Sequence, residues 1–146
     1  MDGSSPARLY CLLIGGVLVL VGILGFFYEA SFAVGNEVVA DKVFGLLAVN
    51  GWHNLVHMTI GALLLIAAGG AARPAALFIG VLYLVLAALG FVATGGDGID
   101  FVASNSVLID LVPVNDEDNV LHVILGVTGV IAALATPRGA SAPATA

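Results

Sequence analysis

Four long apolar runs set the pattern of this chain: residues 9–27, 55–70, 75–93 and 120–135. Two long polar stretches and one very short link separate them. A bilayer core of ~30 Å needs ~20 mostly apolar residues in a helix. The first and third runs meet that length directly. The second and fourth meet it once the polar turns before them, Trp52 to Asn54 and Glu117 to Asn119, reach the interface. A buried helix of a soluble bundle needs a polar face, and Leu12 to Phe27 offers none. Backbone groups in lipid must be paired within the segment, so runs this few and this long imply helices. The pattern predicts an all-α, four-helix transmembrane bundle occupying residues 8–136, with helices at about 8–28, 51–70, 74–94 and 116–136. Residues 1–7 and 137–146 read as polar tails, the second of them disordered. The link Gly69-Gly70-Ala71-Ala72-Arg73-Pro74 is so short that helices two and three are expected to lie antiparallel, side by side.

The polar positions repeat at an ungapped spacing of 65 residues. Arg8, Arg73 and Arg138 share one register, as do Gly15 and Gly80, Leu24-Gly25-Phe26 and Leu89-Gly90-Phe91, Asn50 and Asn115, Asn54 and Asn119, His57 and His122, and Gly61 and Gly126. Residues 10–27 match 75–92 at 6 of 18 positions, and 45–70 match 110–135 at 9 of 26. The intervening stretches, 28–44 and 93–109, match nowhere. Composition explains shared Leu, Ala and Gly, but not paired Asn, His and Arg. The expectation is two tandem two-helix repeats, 8–72 and 73–136, related by a pseudo-twofold axis along the membrane normal. Within the unmatched stretches, Val38 to Leu47 and Ser106 to Val112 read either as short amphipathic pieces on the outer surface or as extended loops.

Composition fits this picture: 60% of residues are hydrophobic and 10% charged, with a net charge of −6. Nine of the ten acidic residues fall within residues 28–51 and 94–119, and three of the four basic ones, Arg8, Arg73 and Arg138, at the opposite helix ends. Loops rich in Lys and Arg stay cytoplasmic. A multi-pass plasma-membrane protein is therefore expected, with both termini cytoplasmic and acidic loops 29–50 and 95–115 extracellular. An acidic exterior argues against nucleic acid as a partner. Cys11 is the only cysteine, so no intrachain disulfide forms. The first apolar run is long for a signal peptide and matches a later run that cannot be one, so it reads as retained.

Candidate chemistry sits at the starts of helices two and four: Asn50-Gly51-Trp52-His53-Asn54-Leu55-Val56-His57 and Asn115-Asp116-Glu117-Asp118-Asn119-Val120-Leu121-His122. Asn50 and Asn115 read as N-caps. His57 and His122 lie ~10 Å further along, in apolar surroundings, where an ionisable side chain faces the bundle interior and a partner. Asn54 and Asn119 precede them by one turn. His53 stacks over His57, and the corresponding pair is Asp118 over His122. The bland reading is a duplicated packing contact, with each His bonded to a carbonyl or an Asn of a neighbouring helix. The functional readings place His57 and His122 face to face. With His53 or Asp118 they would hold a divalent metal, alone they would ligate haem from both sides, and as a pair they would relay protons. No nucleophile, phosphate loop or other catalytic set is legible, so no enzymatic activity is expected.

The element Val49-Asn50-Gly-Trp-His53-Asn54-Leu-Val-His57 with Gly61, followed by Val114-Asn115 to Asp118-Asn119-Val-Leu-His122 with Gly126, resembles a prokaryotic family known as domain of unknown function 4383. The resemblance covers roughly residues 8–136. It implies a small four-helix membrane protein and carries no activity. The expected role is that of a non-enzymatic structural or accessory subunit, set in the lipid bilayer and packed in a membrane-protein complex or homo-oligomer. A metal or haem protein and a proton or cation pathway are the alternatives.

Overall fold

The computed structural model describes residues 5–94, 103–104 and 107–138. Its helices are α1 (Pro6–Gly25), α2 (Gly51–Ala67), α3 (Ala72–Thr94) and α4 (Asp116–Ala135). Pro6 suits the first turn of α1 because its fixed φ is already helical. Ser5 caps that turn, accepting from the Arg8 N–H at 3.2 Å. The helix therefore starts inside the stretch expected to be a tail, and it stops three residues before the expected end. α1, α3 and α4 are long and apolar enough to cross a membrane; α2, at 17 residues, is shorter. Only 33–39% of the apolar window of each long helix is buried within the protein. Leu13, Leu20, Ile66, Phe78 and Leu134 point outward, as suits helices whose solvent is hydrocarbon. The carboxy-terminal tail lies outside the described residues beyond Arg138.

The helices pair differently from the expectation drawn from the short link. α1 lies along α2 and α3 along α4, whereas α2 and α3 touch only slightly. Small residues decide this, because they let backbones approach closely where hydrocarbon supplies no hydrophobic drive. A Cβ on Gly61 would sit 2.6 Å from the Gly15 carbonyl oxygen, and one on Gly126 2.9 Å from that of Gly80.

Short strands cover one end of the bundle. The stretch from Val38 to Leu47, read as an amphipathic piece or a loop, belongs to a hairpin of β1 (Asp41–Val43) and β2 (Leu47–Val49). A second sheet holds β3 (Ala103–Ser104), β4 (Val107–Leu108) and β5 (Val112–Pro113) in that order. The hairpin registers Lys42↔Ala48 and Val43↔Leu47 fall 65 residues before Val107↔Pro113 and Leu108↔Val112. The turns coincide too. Phe44 and Gly45 have φ of 53° and 73°, and Ile109 and Asp110 have φ of 46° and 55°. Positive φ at both central residues suits a type I′ turn, whose twist matches that of the strands, and a third residue, Leu46 or Leu111, separates that turn from the returning strand.

The hairpins are tied crosswise to the helices. Asn50 caps α2, accepting from the His53 N–H at 2.9 Å, and its Nδ2 donates to the Leu111 carbonyl in the other hairpin at 2.8 Å. Asn115 caps α4, accepting from the Asp118 N–H, and donates in turn to the Leu46 carbonyl. Asp118 completes a capping box. Its Oδ2 accepts from the Asn115 N–H at 3.1 Å and from the Ala48 N–H at 3.0 Å. Asp118→Asn keeps an acceptor oxygen in place but halves the strength of charge-assisted bonds. It should lower unfolding stability in detergent by about 1 kcal/mol, measured by thermal or denaturant titration.

At the opposite end, Ala7, Cys11, Ala72, Ala76 and Ala133 form a buried small-residue core. Thr136, just past α4, binds it together: its hydroxyl accepts from the Ala7 N–H at 2.9 Å, and its carbonyl accepts from Arg73 Nε at 3.1 Å.

Candidate functional site

α2 and α4 hardly touch, and a cavity of about 160 Å³ lies in the space they leave. α3 and the second hairpin complete its wall, with Leu86, Leu89, Leu108 and Val112 among the lining residues. His53, His57 and His122 converge on it from the two facing helices. All three are buried, and one ring nitrogen from each lies within 4.8 Å of the other two. The Nδ1 atom of every one of these rings is buried without a hydrogen-bond partner.

Helical spacing explains the pairing on α2. Residues four apart lie one turn above the other, and the rings of His53 and His57 meet edge to face with centroids 4.3 Å apart. His122 reaches across from α4. Its ring lies 5.2 Å from that of Tyr83 on α3, a residue that is 1% exposed. The Tyr83 hydroxyl is likewise buried without a partner.

The other candidates are drawn away from the cavity. Asn54 donates from Nδ2 to the Glu29 carbonyl at 2.8 Å, and Asn119 to the Thr94 hydroxyl at 3.5 Å. Their Oδ1 atoms have no N–H or O–H donor. They face the Cα atoms of Gly25 and Gly90 so closely that an added Cβ would lie 1.9 and 1.8 Å away, which makes Cα–H the available donor. Asp118, grouped with the histidines from spacing alone, is committed to backbone N–H groups at the hairpin.

The difference between the matched positions 53 and 118 has a local cause. Asp118 accepts from the N–H of Ala48. The position matching Ala48 is Pro113, which has no N–H to give a carboxylate. The residue there is His53, whose imidazole lies beside the backbone of both Ala48 and Pro113. The substitution turns an acceptor position into one that can donate, and it frees a nitrogen for the cavity.

Tyr83 is the residue that spacing missed. Its matched position is Leu18, so a search for repeated polar residues passes over it. A tyrosine in the middle of a run of Leu, Val and Ala was the available signal.

Neutral imidazoles are ligands for Zn, Cu, Fe and Ni. A tetrahedral ion ~2.0–2.1 Å from each nitrogen needs N···N separations of ~3.4 Å, so ring rotations of about 1 Å would close these three on one ion. Three nitrogens meeting at a point fit a single ion better than a porphyrin, which offers only two axial positions.

No curated protein matches the chain, and neither does any solved structure. The family described as Domain of unknown function (DUF4383) matches residues 8–135. That match reaches into all four helices, and the chain belongs to this family of unknown function.

Proposed function

We propose that this small membrane protein binds one divalent transition-metal ion through His53, His57 and His122, at the outer end of a bundle made by duplication of a helix–hairpin–helix unit. The supporting observation is that three buried histidines each bring one ring nitrogen within 4.8 Å of the other two, while the Nδ1 of every one of them is buried without a hydrogen-bond partner. Packing alone does not account for it. A buried polar atom without a partner costs ~1–3 kcal/mol, and histidines kept for structure would be paired. The duplication rests on the 65-residue offset shared by helix contacts, hairpin registers and turns. On the charge pattern, the site lies toward the extracellular side, with both termini cytoplasmic.

The role is non-enzymatic on this reading. It is compatible with an accessory subunit, since the outward Leu and Ile side chains suit lipid or a neighbouring membrane helix equally well. A transmembrane cation path finds less support. Ala7, Cys11, Ala76 and Ala133, each fully buried, fill the end of the bundle opposite the histidines, and none of them carries charge.

Cobalt titration is the test. Protein stripped by a chelator in mild detergent should bind one equivalent of Co(II) per chain and develop the visible bands of a tetrahedral site. Zn(II) should displace the cobalt. Absence of saturable binding at one equivalent would remove the reading.

A further inference from the structure

The three histidine rings line the cavity, yet its surface is almost wholly apolar, so what they turn toward it is ring carbon. Leu108 and Val114, of the second hairpin, are buried in its wall, whereas Val56 on α2 is 39% exposed and Ile109 at the hairpin turn 56%. The cavity therefore reaches the surface. Its rim, completed by half-buried Leu86 and Leu89 on α3, lies where α2 and α3 touch only slightly. The helices set what lies outside that gap. α3 is long and apolar enough to cross a membrane, and the chain neighbours of the rim, Leu55 and Val85, are exposed and apolar. The medium at the mouth is hydrocarbon. Water does not fill a space that lacks polar partners, and an empty one forfeits the packing contacts of its walls. A helix, about 10 Å across, is too wide to enter. An engineered cavity of ~150 Å³ lined by Leu, Ile and Phe takes benzene. This one, at about 160 Å³, has room for roughly six carbons in a row.

We infer that the cavity is a binding site for one acyl chain of a membrane lipid, which enters between α2 and α3 and lies against the ring carbons of His57 and His122. The chain takes the apolar space and leaves the ring nitrogens alone, so the inference does not rest on the metal reading. Hydrocarbon at this place keeps water from the side of the imidazole cluster that faces the bilayer.

The test places the full-length protein in phosphatidylcholine vesicles that include a phosphatidylcholine with a photoreactive diazirine on one acyl chain. Illumination attaches the chain to what it touches, and mass spectrometry of the peptides locates the attachment. Outward residues such as Leu20 and Phe78 face bulk lipid and should be labelled in every variant. Labelling of His57, Leu108 or Val114, all buried, requires a chain inside the cavity and is expected in the wild type. Leu86→Trp fills the cavity, and Val56→Trp blocks the mouth from an exposed position that tolerates bulk. Each should cut the buried labelling at least about tenfold, the equivalent of two fewer buried methylenes. Val56→Trp decides the matter if Leu86→Trp fails to fold. Attachment confined to outward residues in the wild type, or undiminished at the buried ones in Val56→Trp, would overturn the inference. Neither result bears on cobalt binding, so the metal reading stands or falls separately.

Discussion

Gly25→Ala and Gly90→Ala should each destabilise the bundle by about 3 kcal/mol, the upper part of the usual range for overpacking. The added methyl would fall 1.9 Å from Asn54 Oδ1 in the first case and 1.8 Å from Asn119 Oδ1 in the second. Neither contact can be accommodated in place. The asparagines cannot simply rotate away. Asn54 is tied to the Glu29 carbonyl and Asn119 to the Thr94 hydroxyl, and both are fully buried. The helices would have to separate, or the amide would lose its bond and remain buried at ~1–3 kcal/mol. Alanine's better helix propensity, ~1 kcal/mol, offsets only part of this. Gly16→Ala is the control: nothing lies within 4 Å of its Cβ position, so it should be neutral or mildly stabilising. Thermal or SDS-induced unfolding of the three variants would check the contrast. Equal behaviour at positions 16, 25 and 90 would mean that the glycine–asparagine contacts carry no weight.

Replacing His57 by leucine should separate the metal reading from the packing reading by the sign of its effect. Without metal, wild-type protein keeps three unpaired imidazole nitrogens in an apolar space. Removing one of them relieves a penalty, so the metal-free variant should be as stable as the wild type or more so. With metal the order reverses. Wild type gains RT ln(1 + [L]/Kd), ~4.1 kcal/mol at a thousandfold excess over Kd. The variant, left with two ligands, should bind Co(II) at least ~100-fold more weakly, beyond what even outer-shell changes cost, and so lose ~2.7 kcal/mol of that gain. Thermal midpoints with and without Co(II) measure both arms. If the imidazole served only for packing, His57→Leu would lower the midpoint by the same amount whether or not metal is present.

Much of the fold was legible because its determinants are local. Unbroken apolar runs gave the helices, and Asn50 and Asn115 marked two helix starts to the residue. The histidines stood out because imidazoles are costly among Leu and Val. The hairpins were hidden for a different reason. Their turns place Phe44, Ile109 and Asp110 at positive φ, where sequence gives little warning, and Val38 to Leu47 also has apolar residues at helical spacing. The two hairpins share a register although only Leu46 with Leu111 and Val49 with Val114 match between them, because backbone pairing and the crossed asparagine bonds define it. The closest helix pairs depended on which glycines met across an interface, which spacing along one strand of sequence does not state. Asp118 and His53 looked like equivalent ligands. What divides them is whether the neighbouring backbone has an N–H, and that depends on Pro113 lying beside the site.

The crossed asparagine bonds bear on the origin of the chain. A fragment ending near Gly70 contains both a cap side chain, Asn50, and a turn carbonyl, Leu46, but in the intact chain each is satisfied by the other half. Two copies of that fragment could answer each other's needs across a true twofold axis. On the duplication proposed above, a symmetric pair came first and fusion later joined it, freeing the first half to carry histidine where the second has aspartate, and the second to carry tyrosine where the first has leucine.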